Sequence, residues 1–420
     1  MQINKRFISR LEDPLIYVFF ILLWLRMFAG VLPDINIYLT AIYVSTSSVI
    51  TSLLLIIGLL YLAICVYLGK GRFPQLGLGL TLWTLSLGPW VLLAARNFQM
   101  AGLSGLREWG RLLVVTVTFF SMYFIARRWN IKKTVNFLLF TLPVPMIVGY
   151  IQIVTSMTDR ISGPMVHPNA FGLFLVTVSG LLLWRYLRDS GVAKYLWVSL
   201  LMASLVLLAF TVSSNSWLMF FVLFMTVALM NVRRREYRKK VLILGLIFLI
   251  GVSLIISLQP ARFFGEVRVI VQLIAPGSAT TAGGSVNTLR ERISIWRVLI
   301  QKWKSNPVFG YGLSTANYIN PIRALDPHND YVKMLVNCGA VGLFLFLLFE
   351  TFTGAILWRN YRRSVGTDHG LLGSVVFGLF LGWVIASFGD NIINVTTFQL
   401  MFWSIIAVFS ANFLRAKESF

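Results

Sequence analysis

The chain has 420 residues, of which 57% are hydrophobic, 14% aromatic and only 12% charged. Soluble domains carry about a quarter charged residues, so a soluble globular enzyme, a disordered tail and a disulfide scaffold are excluded. The composition is that of an all-α polytopic membrane protein, and the net charge of +22 poses the question of which side of a bilayer the charges occupy rather than suggesting nucleic acid.

A membrane-crossing helix needs about 20 mostly apolar residues. In chain order, about twelve transmembrane helices are predicted, at 15–33, 47–68, 76–95, 111–126, 135–155, 169–187, 195–213, 216–232, 241–258, 331–357, 371–389 and 396–413. The first continues as one of many, so no cleavable signal is expected. The stretch 34–46 reads as a partly embedded loop. Cys65 and Cys338 lie in apolar stretches and suggest core packing. Three parts follow: 1–258 with helices 1–9, a long extracytoplasmic loop at 259–330 carrying short helices, and 331–420 with helices 10–12. With the N-terminus inside, Lys5, Arg6 and Arg10, then Arg127, Arg128, Lys132 and Lys133, then the run from Arg233 to Lys240, all fall on the inner side. That is the arrangement the positive-inside rule asks for, and an even number of spans returns the C-terminus inside.

The loop at 259–330 departs from the short-loop pattern. It is basic, with Arg262, Arg268, Arg290, Arg292, Arg297, Lys302, Lys304 and Arg323. A basic surface there points to an anionic ligand, the alternative being an anchor on lipid headgroups. The run from Pro276 to Thr288 is low in complexity and reads as a flap or hinge. Thr288 and Glu291 then form a T-x-x-E capping box. Trp296, Leu299, Ile300 and Trp303 share one face of the helix that follows, which is expected to lie on the membrane surface. Arg290 and Arg292 fall in its first turns, where cations are disfavoured unless an anion occupies the site. A solvated face with Glu291 as partner is the other reading.

At the end of the loop stand Asp326, Pro327, His328, Asn329, Asp330 and Tyr331. A neutral imidazole can accept a proton from a hydroxyl group, with Asp326 or Asp330 orienting it and Asn329 and Tyr331 bonding a sugar. The alternative is a helix-entry segment capped by Asp326 or Asn329. The loop before span 6 adds Asp159, Arg160, His167, Pro168 and Asn169. Pro168 and Asn169 read as a turn into the helix, and His167 as a turn residue with a satisfied hydrogen bond ahead of any chemical role. His369 reads as surface. Arg26 and Glu350 lie inside spans, and Glu350 is expected to reach Arg359 or the interface. There is no phosphate-binding GxxxxGK[ST] loop and no Cys/His cluster, so neither a nucleotide, a metal nor another cofactor is expected.

Three motifs resemble the O-antigen ligase/polymerase family of membrane glycosyltransferases. The first is RISGPMVHPNAFG, from Arg160 to Gly172. The second contains Arg292 and Trp296 as R-x-x-x-W and Pro307, Gly310 and Gly312 as P-x-x-G-x-G. The third is HNDYVKMLVNCGAVG, from His328 to Gly342, in which H-N, nine residues and G-x-x-G is the most specific spacing. The resemblance covers the topology and, most sharply, residues 160–217 and 290–345. It implies a GT-C-like fold in a bacterial cytoplasmic (inner) membrane with an extracytoplasmic active site. It also implies metal-independent, inverting transfer from an undecaprenyl-diphosphate-linked oligosaccharide donor to a glycan or lipid A-core acceptor. Carried over, His328 becomes the general base and Arg292 and Arg160 the diphosphate clamps. Arg290 joins them on physical grounds, and Asn329, Asp326, Asp330, Tyr331, His167 and Asn169 stand as supporting residues. Two departures matter. Ser213, Ser214 and Asn215 replace the family's frequent S-R-G, and Leu343 follows G-x-x-G where ligases often have Thr, which leans the expectation to a polymerase. A transporter or flippase is the rival from another class. It would show paired charges inside spans and broken helices near mid-bilayer.

Overall fold

The computed structural model describes residues 5–30, 32, 37–39, 42–70, 73–155, 160–258, 287–319 and 326–418. Among them all regular structure is helical apart from one short antiparallel hairpin, β1 (Ile37–Leu39) and β2 (Ile42–Val44), in the stretch expected to be a loop.

The helices are α1 (Lys5–Met27), α2 (Thr46–Tyr67), α3 (Gln75–Ser86), α4 (Gly88–Asn97), α5 (Gln99–Arg128), α6 (Ile131–Leu139), α7 (Pro143–Thr155), α8 (Pro168–Arg188), α9 (Ala193–Thr211), α10 (Ser214–Asn231) and α11 (Arg235–Leu258). After the loop come α12 (Asn287–Trp303), α13 (Ala316–Ile319), α14 (Asp330–Ser364), α15 (Asp368–Ala386) and α16 (Thr396–Glu418). Nine helical stretches among the described residues are long and apolar enough to cross a membrane, with α3–α4 and α6–α7 each acting as one. The remaining three expected spans coincide with α1, α11 and α16. The protein is an all-α polytopic membrane protein.

Every residue of α8 from Phe171 to Leu187 is buried, so this helix is the centre of the bundle. The end of α8 that carries Arg185 and Arg188 is tied down by charge. Lys240 Nζ donates to the carbonyls of Tyr186, Leu187 and Asp189 at 2.6–3.2 Å, which satisfies carbonyls left open at a helix C-terminus. At the matching end of α1, buried Glu12 pairs with Lys70 and Arg128. Cys65 and Cys338 are buried free thiols.

The longest helix is broken. Tyr331 and Glu350 both lie on α14, and Tyr331 Oη donates to Glu350 Oε1 at 3.2 Å. Nineteen residues of straight helix would hold them about 28 Å apart. The chain turns back at Gly339, whose φ of 68° and ψ of −169° are open to glycine alone. The turn is locked by the Pro307–Gly312 segment. Ala340 and Val341 N–H donate to the carbonyls of Pro307 and Val308, while Tyr311 and Gly312 N–H donate to those of Val336 and Asn337. Backbone groups freed by the break are thus paired from outside. The approach leaves no room for a side chain: a Cβ on Gly339 would lie 2.2 Å from Val308 O, and one on Gly310 2.5 Å from Val336 O. The P-x-x-G-x-G and G-x-x-G motifs are therefore two halves of one elbow.

The elbow corrects the reading of Glu350. It is buried and accepts from Tyr331, while Arg359 donates to Gln75 at 2.6 Å. His369 is likewise not surface: its ring stacks on Phe409 with centroids 4.5 Å apart. Arg26 links two helices, its Nε donating to Thr51 Oγ1 at 2.8 Å.

Candidate functional site

His328 precedes α14 on backbone in the left-handed region, with φ of 49°. A non-glycine residue holds such a conformation only when its surroundings enforce it. Here they do so from three sides. Trp296 Nε1 donates to Pro327 O at 2.6 Å. Asn329 caps α14 by accepting from Val332 N–H, and its own N–H and side-chain amide bond Asn391 and Phe388 O, all at 3.0 Å. The imidazole Nδ1 lies 3.0 Å from Asp390 Oδ1.

Asp390 organises the cluster. It sits between α15 and α16. Its Oδ1 also accepts the N–H of Asn391 at 2.9 Å, and its Oδ2 accepts from Asn169 Nδ2 at 2.8 Å. Burial pushes this carboxyl up, but the hydrogen bond and charge of His328, with Asn169 and the Asn391 N–H, outweigh it and hold the group below the ordinary carboxylate value. Asn169 Oδ1 in turn accepts from Arg160 Nη2 at 2.9 Å, and Arg160 Nε donates to Thr211 O at 3.0 Å. Arg292 approaches from α12, its Nη1 donating to Gly389 O at 2.6 Å, one residue from Asp390. His167 is the N-cap of α8, accepting from Asn169 N–H at 3.2 Å. Burial lowers its pKa. Asp390 opposes this, and Arg160, His328 and Arg292 reinforce it. That set of neighbours places His167 in the same field as the other four residues.

The structure brings together Arg160, His167, Asn169, Arg292, His328 and Asn329. Other expected members lie elsewhere. The carboxylate on His328 is Asp390, not Asp326 or Asp330. Asp326 faces buried Lys333 at 3.8 Å, and Lys333 also pairs with Glu108 at 3.1 Å. Asp330 is fully buried and accepts from the Ile393 N–H at 3.2 Å, because α14 begins there and turns this side chain toward the α15–α16 connection. Tyr331 points into the bundle, to Glu350 and Val384 O, and so is not positioned to bond a sugar. Arg290 lies on α12, but its side chain, like those of Thr288 and Glu291, is outside the described residues, as are Asp159 and most of the run from Pro276 to Thr288. The helix already runs at Asn287, so Thr288 stands in its first turn rather than at its cap.

The face of α12 predicted to lie on a membrane is packed in part on protein. Of that face, Leu299 is buried with Ile295, Val336 and Ala316 and Trp303 packs against them, while Trp296 and Ile300 are half-buried. Trp303 Nε1 donates to Pro307 O at 3.0 Å. This packing fixes Arg292 relative to His328. Among the described residues no three His, Cys, Asp or Glu side chains cluster as metal ligands.

Asp390 escaped the sequence reading because its partner is 62 residues away. The signal available was a lone acid in the Gly389–Asp390–Asn391 turn between two spans. Lys333 was also missed, although a lysine in the first turn of a span is conspicuous. Ser213 caps α10, and Asn215 Nδ2 donates to Ala386 O at 3.0 Å beside Gly389, so the S-S-N variant borders the same turn.

Chemically, the cluster offers a half-exposed imidazole on a buried carboxylate, with side-chain exposures of 33% and 10%, flanked by two guanidinium groups. No curated protein matches the chain. Residues 197–347, which include Arg292, His328 and the Gly339 elbow but neither Arg160 nor Asp390, match the family model described as O-antigen ligase.

Proposed function

We propose that this protein is a GT-C-like membrane glycosyltransferase that takes a glycan from an undecaprenyl-diphosphate carrier outside the bacterial cytoplasmic membrane. The observation that carries the reading is the joining of His328 and Asn169 through the single carboxylate of Asp390, with Arg160 bonded to Asn169 and Arg292 to Gly389, one residue from Asp390.

An ionised Asp390 only accepts, so in the neutral ring Nδ1 carries the hydrogen and Nε2 keeps its lone pair. Nε2 takes the proton of the acceptor hydroxyl as that oxygen bonds the anomeric carbon. The carbon–oxygen bond to the diphosphate breaks on the opposite face, its electron pair leaving with the phosphate, and the configuration inverts. Arg292 and Arg160 stabilise the charge that develops on the diphosphate, and Asn329 holds the base in place by fixing the start of α14. A diphosphate ester leaves readily, so the reaction needs positioning and cationic stabilisation rather than a metal. Chelators are expected to leave the rate unchanged, and inhibition reversed by Mg²⁺ or Mn²⁺ contradicts that part of the reading.

The acceptor defines two versions. Leu343 after the second glycine of G-x-x-G favours polymerisation of O-antigen or exopolysaccharide repeat units, and the family description favours ligation to lipid A-core. Incubation of the purified protein with an undecaprenyl-diphosphate oligosaccharide, with and without lipid A-core, separates them by product size. Longer lipid-linked chains indicate polymerase, glycosylated lipid A-core indicates ligase, and neither product with an active donor sinks both.

A transporter would also show a buried Lys333–Glu108 pair and a broken helix. Here the pair adjoins the loop through Asp326, and the break at Gly339 is filled by the loop segment at Val308. This favours a structural role in shaping the site.

A further inference from the structure

Lys333 stands one turn into α14, its N–H donating to Asn329 O at 3.0 Å in the first bond of that helix. Its side chain is only 1% exposed. A buried ammonium is costly unless acids face it. Three do. Glu108 of α5, itself buried, lies 3.1 Å from Nζ, and Asp326 lies 3.8 Å away. Asp330 is the third acidic neighbour, three residues before Lys333 and so on the same face of the helix. A well-packed apolar side chain in such a place is often as stable as the ion pair or more so. Stability alone therefore does not account for the charge.

The positions of the acids do. Asp326 and Asp330 lie two residues before and two after His328. Four residues of extended chain would set their Cα atoms about 13 Å apart, too far for two short side chains to neighbour one ammonium. Seven residues separate Asp326 from Lys333, a reach of about 23 Å when extended, yet their charged atoms are 3.8 Å apart. The chain must fold back between them. From Asp326 to Lys333, His328 alone has a positive φ, of 49°. The acids on either side turn to the lysine, and the imidazole between them meets Asp390 instead, at 3.0 Å. Glu108 ties the same ammonium to α5, one of the membrane-crossing helices, so the turn is referenced to a rigid element. A reactive side chain has to be held within about 0.5 Å of its working position.

We propose that Lys333 is a positioning residue for the base: by holding Asp326 and Asp330 on either side of His328, it fixes the turn that aims the imidazole at Asp390. The inference rests on the reading of His328 as general base and adds to it the group that sets the ring's orientation.

The test uses the full-length protein in nanodiscs, labelled with nitrogen-15 histidine. The chain has three histidines, and the His328 signals are assigned by their absence from His328→Ala. In the wild type a single tautomer is expected at neutral pH, with the hydrogen on Nδ1. Lys333→Met combined with Glu108→Gln removes the ammonium without leaving the α5 carboxylate unpaired. Asp326→Ala removes only the loop's arm. Both should give mixed tautomers at His328. With an undecaprenyl-diphosphate oligosaccharide, kcat should fall about 100-fold for the double variant and about tenfold for Asp326→Ala. The donor KM should stay unchanged, since Arg160 and Arg292 are untouched. Wild-type tautomer and kcat in Asp326→Ala overturn the proposal, as does a change in only one of the two or a loss confined to KM. A lower melting temperature with neither change makes the cluster a structural ion pair and overturns it too. Should the double variant fail to insert, Asp326→Ala decides by itself, because that side chain is 36% exposed and its loss leaves Lys333 paired with Glu108. If the wild type transfers no glycan, the enzymatic reading fails, and the tautomer comparison, read without substrate, still decides whether Lys333 orients the ring.

Discussion

The two ends of the segment from His328 to Gly342 look alike in sequence, each a pair of marked residues, yet they do different work. At the first end, His328 and Asn329 find their partners far along the chain, in Phe388, Asp390 and Asn391. Each of these bonds uses a polar side chain, and together they leave the imidazole half-exposed. At the second end, Gly339 meets Val308 and Gly310 backbone to backbone with no side chain between them. One end presents chemistry and the other fixes the distance at which it is presented. A motif can therefore be specific in spacing because a helix of set length must connect a reactive group to an elbow.

That comparison predicts that changes at the elbow cost folding and changes at the cluster cost rate. The largest effect is expected for Gly339→Ala. Its backbone lies in a region that costs a non-glycine residue about 1–3 kcal/mol, and the clash with Val308 O adds to this. Yield and melting temperature in detergent should both fall sharply, and a variant that melts like the wild type would remove the elbow as a structural requirement. Asp390→Asn comes next. It keeps the shape and removes the acceptor charge, so transfer should slow by about 100-fold while the protein stays folded. An unchanged rate would break the link between Asp390 and the base. Arg292→Lys retains a charge but not the planar fork, and a loss of about tenfold in kcat/KM is expected. Kinetics equal to wild type would instead favour an anchor on headgroups.

The smallest effect is one of pH. The Asp390 carboxyl is held below its ordinary value of 3.8 in the folded protein. A depressed carboxyl stabilises the fold above the unfolded pKa and ceases to do so as pH falls through the folded one. The melting difference between wild type and Asp390→Asn should therefore stay constant from neutral pH down to about 5 and shrink below about 4. A difference that grows on acidification would reverse the assigned sign.

The helices were legible because apolar length is a local property: each of the twelve expected spans meets a helix, and the basic end of α8 reads directly from Arg185 and Arg188. His328, Asn329, Arg160 and Arg292 were legible as polar residues grouped at the ends of apolar runs. The pairings were not. Nothing near His328 says that its carboxylate is Asp390 rather than Asp326 or Asp330, since the choice depends on how α15 and α16 are joined. Tyr331 and Glu350 were misread for a related reason. They are distant along a straight helix, and only the turn at Gly339 brings them together. The face of α12 was read correctly as apolar, but periodicity does not say whether lipid or protein covers it.

The central claim is that His328 accepts the proton of the incoming hydroxyl. It is tested most directly by comparing single-turnover glycan transfer by the purified wild type and His328→Ala from an undecaprenyl-diphosphate oligosaccharide. The account predicts that the variant inserts, folds and binds donor but transfers at least about 100-fold more slowly. Transfer by His328→Ala at the wild-type rate would contradict it.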